Sequence, residues 1–205
     1  MEHRAADVAS QDIETHLKAL YHAYRQTSDI DAKGLFFSQN CLQTCRPNPS
    51  YAATSRSQIV QYLKDAQQGR VPLEHSVDSE KQTSAPTEKS LDGDTGRYTI
   101  RWLLASEHEF GDGAATEAIG LTPSELEAKA EAEGWVGLRV DLWDEGTGDG
   151  LLVKVQYWWR AEIVADEGVE AGAGGGMKWR QCLHDIMYLG PRDGTEGGEG
   201  VEVLK

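Results

Sequence analysis

Two kinds of hydrophobic spacing divide the chain into an N-terminal and a C-terminal part. In the first part, apolar residues recur every three or four positions, which is the spacing of helices with one buried face. From about residue 97 onwards, apolar and polar residues alternate, which is typical of half-buried strands. The pattern predicts helices at 12–26, 31–38 and 55–69, and long strands at 97–108, 135–143, 151–164 and 177–189.

Local signals add three shorter elements. Thr122 followed by Pro123 marks the start of a helix at 123–133, because proline is favoured at the first helical position after a capping residue. Short apolar runs predict strands at 40–46 and 73–77. Helices followed by a run of strands, rather than an alternation of the two, favour the α+β class.

The strand lengths and their connections predict the overall shape. Short polar or glycine-rich connections favour an antiparallel meander, and a thirteen-residue strand would span about 43 Å if it were flat. Such a sheet must be strongly curved, so we expect a cone-shaped α+β barrel with the three N-terminal helices packed on it and a cavity inside. We expect a disordered leader at 1–11, a single domain at 12–190 with an acidic insertion at 111–134, and a flexible acidic tail at 191–205.

The charge of the chain narrows the function classes. The 205 residues carry a formal net charge of −14. A net charge of −13 lies in four segments that resemble solvated loops, namely 111–134, 144–150, 166–170 and 190–205. The rest of the chain is therefore nearly neutral, and it has no basic stripe. Phosphate recognition requires a basic face, so we expect no nucleic-acid partner. No apolar run approaches the roughly 20 residues that span a bilayer, so we expect no membrane association.

Cysteine and glycine patterns predict neither a metal nor a cofactor. Cys41 and Cys45 do not have a zinc-ligand spacing, and three cysteines are too few for a disulfide framework, which favours a reducing, cytoplasmic location. The glycine run at 172–176 lacks the lysine and the strand-to-helix setting of a phosphate loop.

The order of the elements resembles the nuclear-transport-factor-2-like superfamily, which includes the SnoaL-like polyketide cyclases and scytalone dehydratase. The resemblance covers residues 12–190 and depends on the order of the elements and on three sequence segments, at 28–36, 55–63 and 178–180. It implies cofactor-independent lyase, isomerase or cyclase chemistry on a small hydrophobic or aromatic, polyketide-like ketone. It also implies a homodimer formed through the sheet.

The resemblance to scytalone dehydratase implies an acid–base set of Asp29, His75 and His108. Imidazole takes and gives a proton near neutral pH, and a neighbouring carboxylate fixes its tautomer. The alternative is that both histidines are surface or strand-end residues. Ser28 stands where that enzyme has a tyrosine, and a second pocket tyrosine is missing near Cys45, so the two phenols that polarise the substrate carbonyl are not in the expected places.

Five further residues are predicted to shape the pocket. Trp158 and Arg160 share one face of a strand and could bind a polar aromatic ligand, although an exposed tryptophan on a sheet equally predicts a dimer interface. His184 enters the pocket if its strand face is concave, and otherwise the neighbouring Asp185 does. Tyr24 and Trp102 complete the predicted set.

Two functions therefore stay open. The first is an enzyme of the lyase, isomerase or cyclase type, and the second is a non-catalytic ligand-binding or homodimeric interaction module of the same fold. The positions of the histidines separate them, since acid–base catalysis requires that the histidines face one common cavity.

Overall fold

The computed structural model describes residues 2–68, 96–111, 113–144, 151–164, 176–196 and 202–204. His75 and the predicted strand at 73–77 lie outside the described residues.

Five helices are described, and the first three confirm the predicted N-terminal helical layer. They are α1 Glu2–Gln26, α2 Ile30–Gly34, α3 Arg56–Gln67, α4 Gly113–Glu117 and α5 Pro123–Glu133. Ser55 caps α3 and Thr122 caps α5, each accepting a hydrogen bond from a backbone N–H of the first turn. Gly134, with a φ of +60°, ends α5 in the left-handed conformation that glycine adopts without strain.

Helix α1 begins earlier than the hydrophobic pattern predicts. It includes residues 2–11, for which we expected a disordered leader. This segment contains Ala5, Ala6 and Ala9 but no apolar stripe. Alanine has the highest intrinsic helix propensity, so helix formation here does not require the buried face on which the pattern analysis relied.

One six-stranded sheet packs on these helices, in the order β1-β5-β4-β3-β2-β6. The strands are β1 Phe37–Cys45, β2 Gly96–Trp102, β3 Val136–Asp144, β4 Leu151–Val164, β5 Gly176–Pro191 and β6 Glu202–Leu204. The α+β class and the antiparallel meander of β2 to β5 are confirmed. The sheet is not antiparallel throughout, because β1 pairs with β5 in parallel. The tail, which we expected to be flexible, contributes β6, which pairs with β2 at residues 98–100.

Both faces of the sheet are covered by helices. The inner face, which we define as the one against α1 and α3, packs on Leu17, Tyr21 and Ile59. The outer face packs on the insertion, where Leu126 of α5 and Trp135 belong to the same buried cluster as the strand residues of that face. The acidic segment at 111–134 is therefore a second structural layer with its charges outside, and not only a solvated loop.

A bulge in β5 decides which side chains face inwards. Trp158 pairs with Leu183 while Trp159 pairs with Gln181, so Cys182 is an extra residue without a partner position on β4. Cys182 and Leu183 both belong to the outer cluster as a result. The alternation resumes afterwards and turns His184 to the inner face.

Candidate functional site

Four polar aromatic side chains, a histidine and a glutamine from one helix and three strands meet on the inner face of the sheet. We call this group the inner aromatic site, and it consists of Tyr21 of α1, Tyr98 of β2, Tyr157 and Trp159 of β4, and Gln181 and His184 of β5. Side chains two residues apart on a strand point to the same face, so the pleat of β4 sends both Tyr157 and Trp159 inwards. All six residues have relative exposures between 0% and 7%.

Ring contacts connect Tyr21, Tyr98, Tyr157 and His184 into one cluster. The centroid of the Tyr157 ring lies 5.0 Å from that of Tyr21 and 4.8 Å from that of His184. On its other side, the His184 ring meets Phe37 at 4.9 Å, nearly edge to face. Tyr98 joins through its ring, 5.6 Å from Tyr21, and through its hydroxyl, 2.9 Å from Nδ1 of His22. These are the separations at which aromatic pairs attract each other.

Two buried donors of the site have no hydrogen-bond partner among the described residues. They are Nε1 of Trp159 and Nε2 of Gln181. The Tyr21 hydroxyl, by contrast, has the Tyr157 hydroxyl as a hydrogen-bond acceptor. Trp159 and Gln181 are register partners on adjacent strands, so their side chains are neighbours on the inner face. A buried donor without an acceptor costs about 1–3 kcal/mol, and native proteins seldom tolerate it. Two such donors on one face provide hydrogen bonds for a molecule that carries acceptor oxygens.

His184 is held in a neutral state at the centre of the site. With Nε2 protonated, its ring donates a hydrogen bond to Oε1 of Gln181. Burial away from water lowers the pKa of His184 to about 3, because the imidazolium would lose its hydration. At neutral pH the ring therefore carries one N–H and one lone pair.

The phenols of the site remain protonated. Burial raises the pKa of Tyr21 and of Tyr157, and the positive charge of Arg25 acts on both in the opposite direction. Their hydroxyls are therefore neutral hydrogen-bonding groups at physiological pH. The structure thus supplies two interior phenols, at positions other than those that the resemblance to scytalone dehydratase implies.

Three of the predicted pocket residues lie on the inner side. His184 belongs to the inner aromatic site. Tyr24 is buried in the inner core, where its ring packs 5.8 Å from Tyr21 and 5.6 Å from Phe37. Trp102 is half-buried and packs against the same core.

Asp29 and His108, two members of the predicted acid–base set, lie apart from this site. Asp29 is exposed and caps α2, where its carboxylate accepts hydrogen bonds from the backbone N–H groups of Asp31, at 2.8 Å, and Ala32, at 3.1 Å. His108 is exposed on the outer side, its ring 5.2 Å from that of Trp158. No hydrogen bond or ion pair joins Asp29 to His108 in the described part of the chain. The third member, His75, lies outside the described residues.

The two remaining pocket candidates belong to the outer face. Trp158 is 1% exposed and its ring lies 4.7 Å from that of Phe110. Arg160 forms ion pairs with Glu133 of α5 and with Glu162. Because the chain's own residues cover Trp158, an exposed tryptophan is not present at this position, and the argument for a sheet dimer that rested on it fails.

The sequence did not identify five members of the inner aromatic site as functional residues. Tyr21, Tyr98, Tyr157 and Trp159 fit the apolar stripes of their elements, which predict core positions, and no pattern singles out Gln181. One feature of the sequence could have identified the aromatic residues among them. Each carries a polar atom on a face that was predicted to point inwards, where a purely structural core favours leucine or valine.

Two negative observations apply to the described residues. In these ranges, no group of three or more histidine, cysteine, aspartate or glutamate side chains is arranged to hold a metal ion. No helix among them is long and apolar enough to cross a bilayer.

Comparison with known families agrees with this architecture. The model of the SnoaL-like domain matches residues 6–205, nearly the whole chain. The chain belongs to the SnoaL-like family. This family is part of the nuclear-transport-factor-2-like superfamily, so the resemblance drawn from the sequence is confirmed. The SnoaL-like fold is that of polyketide cyclases and isomerases, and it often binds small ligands. Neither a curated protein nor a solved structure matches this SnoaL-like chain.

Proposed function

We propose that this SnoaL-like protein acts on a small aromatic ketone bound in the inner aromatic site and promotes its isomerisation or cyclisation without a cofactor. The observation that carries the proposal is the pair of buried donors without acceptors, of Trp159 and Gln181, next to a neutral histidine. Family membership supports the same class of chemistry.

The donors would stabilise the charge that forms during enolisation. Removing a proton from the carbon beside a ketone places negative charge on the carbonyl oxygen. Fixed N–H and O–H donors in a site without bulk water stabilise such charge strongly. The rings of Phe37 and Tyr157 both contact the His184 ring, so a substrate that reaches His184 would meet aromatic surfaces.

We assign the proton transfer to His184 and not to Asp29 or His108. With Nε2–H bonded to Gln181, the Nδ1 lone pair is the basic position of the ring. His184 is a weak base, so in this proposal most of the rate acceleration comes from the donors around the oxygen.

A second candidate function is ligand binding without turnover. The low pKa of His184 favours it, because a general base is most effective when its pKa lies near the operating pH. In that case the same donors and rings would bind the ligand, and no proton would be exchanged.

Hydrogen–deuterium exchange separates the two functions. We expect the protein to accelerate exchange of the protons beside the carbonyl of 1-tetralone in D₂O, followed by NMR. We expect the acceleration of exchange to be at least tenfold smaller in the His184→Gln variant than in the wild-type protein. The matched variant on the outer face, His108→Gln, should keep the full acceleration. Circular dichroism would verify that both variants are folded.

Each other outcome has a defined meaning. If 1-tetralone binds but its exchange is no faster than in buffer, the non-catalytic function is correct. If His108→Gln loses the acceleration and His184→Gln retains it, the assignment of the proton transfer to His184 is wrong.

A further inference from the structure

Two arginines come close together at the edge of the sheet, where β1 begins. Arg56 is the first residue of α3, and its guanidinium donates a hydrogen bond of 2.6 Å to the carbonyl oxygen of Phe37. Arg180 directly precedes Gln181, whose backbone N–H donates a hydrogen bond of 2.9 Å to the carbonyl oxygen of Phe36. The start of β1 therefore brings Arg56 near Arg180, and the two positive charges act on each other.

Neither guanidinium has a carboxylate bonded to it in the part of the chain that the structure describes. Nε of Arg56 is buried without a hydrogen-bond acceptor. Arg180 forms neither a hydrogen bond nor an ion pair with the described residues. The carboxylate of Glu162 does act on Arg180. That carboxylate, however, is already bonded to Arg160 and to the hydroxyl of Ser38.

The surroundings of this pair make its positive charge unfavourable. Burial and the neighbouring charge of Arg56 lower the pKa of Arg180, since both disfavour a second cation at this place. Arg56 also occupies the first turn of α3, which contains no acidic residue. A helix N-terminus carries a partial positive charge and favours acidic side chains. An external anion bound between the two arginines would remove this repulsion.

We propose that Arg56 and Arg180 bind the phosphate group of a small phosphate monoester. Such a group carries about two negative charges near neutral pH, which balances two guanidiniums. The planar N–H donors of arginine match phosphate oxygens in pairs. Both side chains are partly exposed, so the phosphate binds from solvent and needs no cavity in the packed core. The site contains no residue of the inner aromatic site and does not depend on the proposed function.

Two probes of similar shape and different charge test the site. Phenyl phosphate is largely a dianion at pH 7.5, whereas benzenesulfonate has the same ring and a tetrahedral head with one charge. Binding to the whole protein would be measured by isothermal titration calorimetry at low ionic strength. We expect phenyl phosphate to bind about tenfold more tightly than benzenesulfonate.

Variants of the two arginines test the assignment of the site. Arg180→Gln and Arg56→Gln are each expected to weaken the binding of phenyl phosphate about tenfold, because each removes a charged donor. The matched control is Arg192→Gln, which removes an arginine that is already paired with Glu196. This control should bind phenyl phosphate like the wild-type protein.

Thermal unfolding separates a ligand site from a structural role. In phosphate-free buffer, Arg180→Gln should not lower the Tm, because the substitution removes the repulsion from Arg56. Phenyl phosphate should raise the Tm of the wild-type protein, since a ligand that binds only the folded state stabilises it. The same concentration should leave the Tm of Arg180→Gln unchanged.

Three outcomes would overturn the proposal. A lower Tm of Arg180→Gln in phosphate-free buffer would show that Arg180 has a partner within the chain. Unchanged affinity for phenyl phosphate in both variants would place its binding elsewhere. Equal affinities of the wild-type protein for the two probes would show that the site does not select a phosphate dianion. None of these results affects the proposed function, which concerns other residues.

Discussion

Replacement of Trp158 with alanine is expected to lower the free energy of unfolding by about 3–5 kcal/mol, the usual cost of removing a fully buried aromatic side chain. Trp158 is 1% exposed and packs against Phe110. It also fills the space beside Gly137, where an added Cβ would lie 3.3 Å from its ring. The alanine variant would leave a cavity between the sheet and α5, where Leu126 and Trp135 belong to the same cluster.

Urea denaturation followed by circular dichroism measures this loss. Trp179→Ala is the matched control, because Trp179 is half-buried near the end of the β4–β5 hairpin and should cost clearly less. A loss below about 1 kcal/mol for Trp158→Ala, or equal losses for both variants, would mean that the acidic insertion is not a structural layer of the fold.

Acidification is expected to destabilise the protein through His184. Its pKa is lowered to about 3 in the folded state, whereas an unfolded chain titrates its histidines near 6.5. Between these values the unfolded state binds one more proton, so stability falls as the pH decreases. The contribution reaches about 1.4 kcal/mol per pH unit.

Urea denaturation at several pH values between 7 and 4 tests this expectation. With decreasing pH, the free energy of unfolding of the His184→Gln variant should fall less steeply than that of the wild-type protein. The difference in slope should correspond to about one bound proton. His16→Gln, which removes an exposed histidine of α1, controls for the loss of a histidine as such. Equal slopes in the wild-type protein and His184→Gln would show that His184 is not held neutral by burial.

Much of the fold could be predicted because its signals are local. The caps at Ser55 and Thr122 and the glycine at 134 mark helix ends by short-range hydrogen bonding and backbone conformation. Alternation along 151–164 identified β4 over its full length. The parallel pairing of β1, by contrast, depends on contacts with a strand more than 130 residues later in the chain, which no local pattern encodes.

The site was predicted only in part because its geometry depends on cross-strand register. His184 was identified, but its direction could not be fixed, since the extra residue at Cys182 is visible only against the pairing with β4. His108 was placed in the pocket by element order, whereas β2 ends at Trp102 and a 3-10 turn carries the chain to the outer side. The order of the elements predicts that a residue lies at the end of a strand, but it does not determine which face of the sheet the side chain reaches.

The central claim is that the inner aromatic site binds an aromatic ligand. An NMR titration with 2-acetylnaphthalene tests this claim most directly. The ring signals of His184 and the side-chain amide signals of Gln181 would be followed as ligand is added. We predict that both shift and that intermolecular nuclear Overhauser effects connect the ligand to Tyr157, while the ring signals of His108 stay unchanged. Ligand contacts at His108 and Trp158, with His184 and Gln181 unaffected, would contradict the account.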